Sequence, residues 1–203
     1  MKFYRTPRLF RRVYPGQTWS LPCNESVVYL TFDDGPTEKL TSWILDTLQE
    51  HDAQATFFCV GNNVINYPER YSEILRQGHS VGNHTMHHVN GWKTSFHDYL
   101  ENVNQASQHI SSSLFRPPYG KIKRSQQKKI GADFRTIMWS FLTYDFDPNV
   151  DMHDVFNRYI RSYQQGDILV LHDNVKAEKQ LKIILPLLLK WGQEKGIQFK
   201  RIQ

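Results

Sequence analysis

Two adjacent carboxylates, Asp33 and Asp34, end one apolar run, and two histidines four residues apart, His84 and His88, follow another. A spacing of four sets both imidazoles on one side of a helical turn, where they can share a cation. One carboxylate of the acidic pair then completes a His, His, Asp set that leaves a coordination position for water, as hydrolytic zinc sites do. The same donors also suit Fe(II), and two histidines in a solvated polar turn are the bland alternative. His172 ends the run 168–171, Arg116 follows Leu114 and Phe115, and Asp145 follows the stretch that contains Trp139. The other histidines, His51, His79, His87, His97, His109 and His153, read as surface or hydrogen-bonded residues, although His87 adjoins a proposed ligand and competes for its role.

These groups need a scaffold, and the chain alternates short apolar runs with amphipathic stretches. Runs at 27–32, 55–60, 79–82, 114–115, 134–141, 167–171 and 197–202 are rich in β-branched and aromatic residues and read as strands. Helices are predicted at 37–48, capped by Thr37 and carrying Leu40, Ile44, Leu45 and Leu48 on one face, and at 68–77, 96–113, 125–130 and 155–163. A last helix over 178–195 contains Pro186, which predicts a kink or a restart. Repeated strand-helix units joined by right-handed crossovers favour a closed or nearly closed parallel barrel, an α/β single domain of distorted (β/α) TIM-like form. In such barrels the chemistry sits on loops after the C-terminal ends of the strands, and the polar clusters above fall there.

In that order, Thr31-Phe32-Asp33-Asp34-Gly35, Ala55-Thr56-Phe57-Phe58, Gly82-Asn83, His84-Thr85-Met86-His87-His88, Arg116-Pro117-Pro118-Tyr119-Gly120 and Leu169-Val170-Leu171-His172 resemble the successive motifs of the polysaccharide deacetylases. This family is also called the NodB-homology domain or carbohydrate esterase family 4. The resemblance spans 27–202 and implies a distorted (β/α) barrel that removes N-acetyl groups from N-acetylglucosamine-containing glycans of chitooligosaccharide or peptidoglycan type. It implies that Asp34, His84 and His88 hold a divalent metal ion, usually Zn²⁺, with Co²⁺ or Ni²⁺ able to substitute. Asp33 would be the general base, His172 the acid, and the Tyr119 backbone N–H an oxyanion donor. Arg116 would orient Asp33, Asp145 would tether His172, and Pro118, Tyr119, Phe146 and Leu171 would line the substrate pocket. One motif departs from the pattern: where members show Asp-x-x-Asp-Trp, this chain has Leu142-Thr143-Tyr144-Asp145-Phe146, which alters the shape and polarity of the groove. The loops are short, which implies an open groove with few sugar subsites. A metal-retaining glycan-binding module and a deacylase of a non-carbohydrate amide are the alternatives.

At 203 residues with 39% hydrophobic content the chain has the size of one domain with its own core. Residues 1–26 read as a basic segment packing its aromatics, Phe3, Tyr4, Phe10 and Tyr14, on a catalytic domain at 27–203. The net charge of +5 draws anionic surfaces closer without naming one, and no nucleic-acid partner is expected. Two cysteines, Cys23 and Cys59, are too few for a disulfide framework, and Cys59 is expected as a buried inert thiol. Neither a signal peptide nor a transmembrane segment is visible, although the resemblance implies work outside the cell or at its wall. A monomer is favoured.

Overall fold

Among the described residues nine short strands carry this fold, so each must be held by its neighbours rather than by its own length. In chain order they lie between helices as α1 (Arg8–Val13), β1 (Gln17–Thr18), β2 (Val27–Asp33), α2 (Leu40–Glu50), β3 (Ala55–Cys59), α3 (Gly61–Asn66), α4 (Pro68–Arg76) and β4 (Ser80–Asn83). Then follow α5 (Phe96–Ser107), β5 (Leu114–Phe115), a 3₁₀ turn (Pro118–Gly120), α6 (Arg124–Ile130), β6 (Arg135–Ile137) and β7 (Phe141–Leu142). The chain ends through α7 (Met152–Ser162), β8 (Asp167–His172), α8 (Glu178–Lys195) and β9 (Gln198–Phe199). This computed structural model describes residues 2–22 and 24–203, and of Arg8 and Arg11 the backbone alone.

The sheet is parallel throughout, in the order β1-β6-β5-β4-β3-β2-β8-β7, with β9 added beside β2. One stretch of chain joins the two sides, because β6, second from one end beside β1 and β5, is followed four residues on by β7, the last strand at the other end, beside β8. The sheet therefore curls into the nearly closed (β/α) barrel that the alternating pattern predicts. The single strand expected over 134–141 is instead broken at 138–140. There the Met138 N–H donates to Thr18 O (2.7 Å) and the Ser140 N–H to Ile168 O (3.0 Å), so the backbone changes partner from one side to the other.

Period-two alternation divides the apolar residues between two compartments. Leu30, Phe32, Phe57, Leu169 and Leu171 pack outward in one cluster with Ile44, Leu45 and Leu48 of α2 and with Leu181, Ile184, Leu185, Leu188 and Leu189 of α8. Each such fully buried side chain contributes about 2 kcal/mol before entropy is counted. Phe58, Leu114, Ile137, Ile168 and Ile202 fill the barrel interior. Helix α8 runs unbroken through Pro186 for 18 residues, so the expected restart does not occur. Helix α2 begins later than expected: Thr37 lies outside it, yet its Oγ1 accepts the Thr41 N–H at 3.3 Å.

Residues 2–20 are tied to the barrel by backbone and charge. Leu142 N–H donates to Tyr4 O, and Arg5 makes a two-pronged pair with the buried Asp167, both bonds at 2.8 Å. Tyr4 and Tyr14 are half-buried, whereas Phe3 and Phe10 are largely exposed. Cys59 is buried and free, and burial pushes its thiol pKa up, which makes it inert. Cys23 lies outside the described residues. Among the described residues no helix is long and apolar enough to cross a membrane.

Candidate active site

Strand β2 ends on two carboxylates that its last turn separates. Asp33 still follows the pleat and points into the barrel, whereas Asp34 sits at φ 78°, in the left-handed region, which turns its side chain away from its neighbour's. The next residue must be glycine, since a Cβ on Gly35 would lie 2.2 Å from Asp173 Oδ2. Asn63 Nδ2 donates to Asp34 O at 2.7 Å and Asn174 Nδ2 to Asp34 Oδ2 at 2.6 Å. The second oxygen, Oδ1, is left facing His88 Nε2 at 3.0 Å and His84 Nε2 at 3.5 Å.

The two histidines do not share a helical turn as the spacing predicts. Residues 84–88 form an irregular loop with Thr85 (φ 65°) and His88 (φ 53°) in the left-handed region. Thr85 is buried, its N–H donating to Asn83 Oδ1 (2.8 Å) and its Oγ1 accepting from the Val89 N–H (3.2 Å), while Met86 N–H donates to Asn102 O. The loop is thus shaped by tertiary contacts, and it still brings both rings to Asp34.

The donor chemistry fits a cation. His84 Nδ1 lies 2.8 Å from Arg116 O, and a carbonyl only accepts, so Nδ1 carries the proton and Nε2 presents a lone pair toward the cluster. One carboxylate oxygen and two imidazole nitrogens then converge within 4.8 Å of one another. Ligands about 2.0–2.1 Å from a tetrahedral Zn²⁺ stand roughly 3.3 Å apart, close to the two separations seen here. Burial works against the charge on Asp34, but a positive partner in the cluster, whether charged imidazoles or a cation in their place, overrides it and holds its pKa far below the usual carboxylate range.

On the barrel side, Asp33 Oδ1 receives Arg116 Nη1 at 2.7 Å, and the guanidinium is completely buried. Arg116 Nη1 also donates to Thr31 Oγ1 (2.7 Å), Nε to Ile137 O (3.1 Å) and Nη2 to Met138 O (2.9 Å), with its face 4.1 Å from the Phe58 ring centroid. The carbonyls at the strand break are thereby satisfied by the same cation that orients Asp33. Burial lowers the pKa of Arg116 and Asp33 pulls it back, leaving the guanidinium charged.

Across the cleft, His172 Nδ1 lies 2.7 Å from Asp145 Oδ1, and the His172 backbone N–H donates to Asp145 Oδ2 at 2.7 Å. Asp145 is buried and accepts from Thr143 Oγ1 at 3.1 Å. Burial alone would discharge the ring, but the Asp145 charge and hydrogen bond, with Asp34 and Asp33 adding, raise His172 from 6.5 to about 9. The imidazole is therefore protonated at neutral pH.

The cleft between these groups, about 790 Å³, is lined by Asp33, Asp34, His84, His88, Tyr119, Phe146 and His172. The Tyr119 ring lies 4.6 Å from His88, and Phe146 meets His172 edge-on at 4.9 Å. Tyr119 is in the left-handed region (φ 60°), and the bonds of its turn run from Gly120 and Lys121, so the turn does not consume the Tyr119 N–H. Two expected lining residues are elsewhere. Leu171 alternates with His172 and points outward into the core, leaving Val170 to line the cleft, and Pro118, the first residue of the 3₁₀ turn, is buried. His87 reaches the cleft rim but not the ligand cluster. His79 is hydrogen-bonded as expected, its Nδ1 accepting from the Ala55 N–H at 3.2 Å, and burial lowers it to about 4.

Several residues escaped the sequence reading. Asn63, Trp139 and Asn174 line the cleft, and Asp173 lies buried beneath Gly35, held by Thr37 Oγ1 at 2.8 Å and by Thr41 Oγ1. Asn63 and Asn174 have no chemistry-bearing spacing of their own. Asp173 adjoins His172, and that adjacency was the signal available.

Comparison with known proteins agrees with this geometry. A profile of the family described as Polysaccharide deacetylase matches residues 21–134. A peptidoglycan-N-acetylglucosamine deacetylase of Bacillus cereus is 32% identical over 189 residues, which is 90% of this chain and 89% of that protein. A chitooligosaccharide deacetylase of Azorhizobium caulinodans is 31% identical over 175 residues, 81% of each chain. The crystal structure of the Bc1960 peptidoglycan N-acetylglucosamine deacetylase superposes with a TM-score of 0.79 at 29% identity, covering 97% of this chain and 95% of that one. Other relatives are longer, this chain spanning 33% of one and 32% of another. The chain belongs to the polysaccharide deacetylase family, a family of hydrolases acting on carbon–nitrogen bonds other than peptide bonds.

Proposed function

We propose that the chain removes the N-acetyl group from N-acetylglucosamine units of peptidoglycan-type or chitooligosaccharide-type glycans and that it depends on a divalent metal ion to do so. The observation that carries this reading is the division of labour between adjacent carboxylates. Asp33 is committed to Arg116, while Asp34 is committed to two imidazoles. A binding module would need only the second of these.

A divalent cation held by Asp34, His84 and His88, Zn²⁺ by the character of the donors, supplies Lewis acidity that polarises the acetyl carbonyl and acidifies a water. Asp33, oriented by Arg116, takes a proton from the water as its oxygen bonds to the acetyl carbon. The Tyr119 N–H is offered to the oxygen on which negative charge develops. His172, charged and tethered by Asp145, gives its proton to the sugar nitrogen as the C–N bond breaks, so that acetate and a free amine leave. The proton on Asp33 returns to solvent and His172 is recharged. Asp33 ionised and His172 protonated are both required, which makes the pH–rate profile bell-shaped.

The test is acetate release from N-acetylglucosamine oligomers and peptidoglycan fragments by metal-stripped protein with and without added Zn²⁺ or Co²⁺, beside Asp33→Asn. Release that requires metal and is lost in the variant supports the reading. Metal binding without release from any glycan overturns it.

A further inference from the structure

The catalytic cleft continues into a second groove that the reaction does not use. Tyr119, Gly120, Trp139 and Leu142 line both, so the two are one depression with a waist. The second part, about 280 Å³, is bounded on one side by Phe10 and Tyr14 of the N-terminal segment and on the other by Trp92. Trp92 (56% exposed), Tyr119 (59%) and Phe10 (47%) leave ring surface to solvent around it. Lys121 stands 5.3 Å over the Trp92 ring, an ammonium at the edge of an apolar wall.

Beyond this aromatic groove lies a third, about 680 Å³, which shares Tyr14, Gln17 and Ile122 with it and carries Arg12, Arg124 and Lys128. Among the described residues none of these three cations pairs with a carboxylate. Aromatic faces take the apolar C–H faces of a pyranose, and a hydroxyl-rich ring needs polar donors only at its rim. Unpaired guanidinium and ammonium groups further along take carboxylates.

Resting on the deacetylase reading, we propose that the glycan extends from the cleft toward the N-terminal segment. The sugar next to the one deacetylated sits in the aromatic groove, and carboxylates carried by the glycan sit at Arg12, Arg124 and Lys128. The preferred substrate is accordingly an extended, carboxylate-bearing N-acetylated glycan rather than a short neutral one.

The experiment compares kcat/KM for an N-acetylglucosamine monomer, a neutral pentamer, and a peptide-bearing peptidoglycan fragment of matched length. The proteins are the metal-loaded wild type, Phe10→Ala, Trp92→Ala and the double variant Arg12→Ala/Arg124→Ala. Binding is followed in parallel by tryptophan fluorescence, with Trp92→Ala read by calorimetry. The aromatic variants should lose about tenfold in kcat/KM on the two longer substrates, through KM, and little on the monomer. The double variant should lose about tenfold on the carboxylate-bearing fragment alone, and added salt should erase that difference. Equal losses on all three substrates, or none, would overturn the proposal. If the wild type binds the longer glycans through these residues but releases acetate from none, the deacetylase reading falls and the groove stands. If acetate is released without any length or charge preference, the groove falls and the reaction stands.

Discussion

Asp145→Asn isolates the proton that the leaving nitrogen needs. The wild-type carboxylate lies 2.7 Å from His172 Nδ1 and is the largest of the influences that raise the imidazole from 6.5 to about 9. That difference corresponds to roughly 3.4 kcal/mol of preference for the charged ring. A neutral amide of the same shape removes the ion pair, while the burial that opposes charge remains, so His172 returns to about 6.5 or below. At pH 8 the protonated fraction then falls from about 90% to about 3%, a loss of roughly thirtyfold. At pH 6 most of that loss disappears. A cation at Asp34 cancels that carboxylate's share of the effect, which places the wild-type alkaline limb at or below about 9. The assay is kcat/KM for acetate release between pH 5 and 10 with metal-loaded protein, beside a melting curve to establish folding. An alkaline limb at the same pH in variant and wild type would refute the assignment of His172 as the acid and of Asp145 as its tether.

Other perturbations follow from the same geometry. Arg116→Met strands the Asp33 charge and the Ile137 and Met138 carbonyls, and should cost about 3–5 kcal/mol in urea unfolding together with the activity; a variant that unfolds like the wild type would contradict the ion-pair account. His88→Ala removes one of three convergent donors, so added Zn²⁺ should raise the melting temperature of the wild type but not of the variant, and an equal rise in both would place the metal elsewhere. Burial raises Asp173 from 3.8 to about 7, opposed by the Thr41 and Thr37 hydroxyls, so the folded chain holds this proton more tightly than the unfolded one. Stability from this group is complete below about pH 4 and falls by about 1.4 kcal/mol per pH unit up to about 7. Asp173→Asn should flatten that slope in denaturant titrations from pH 4 to 7, and an unchanged slope would show that Asp173 is not the group.

Much of the barrel was legible because it rests on short-range patterns. Short apolar runs rich in β-branched and aromatic residues marked β2, β3 and β8, and the Asp-Asp-Gly-Pro turn marked where β2 stops. Such signals sit within one element and survive without knowledge of its neighbours. The chemistry-bearing side chains at strand ends could be nominated for the same reason, and the family motifs separated Asp33 from Asp34.

What the tertiary structure alone decided lies between elements. The left-handed turn at Asp34, held by Asn63 and Asn174, sets adjacent carboxylates on different partners, and nothing in the spacing of three distant residues announces that. The loop at 84–88 is not helical because its N–H groups find Asn83 and Asn102 rather than one another. The break at 138–140 is tolerated because Arg116, 21 and 22 residues before Ile137 and Met138, reaches their carbonyls. By itself the sequence determined which segments pair with solvent or core and which residue types stand at the barrel mouth, since those follow from local period and turn chemistry. Which carboxylate faces which cation, which side chain lines the cleft, and how the first residues extend it were left to packing, because a buried polar group is placed by whichever partner satisfies it, however far away in the chain.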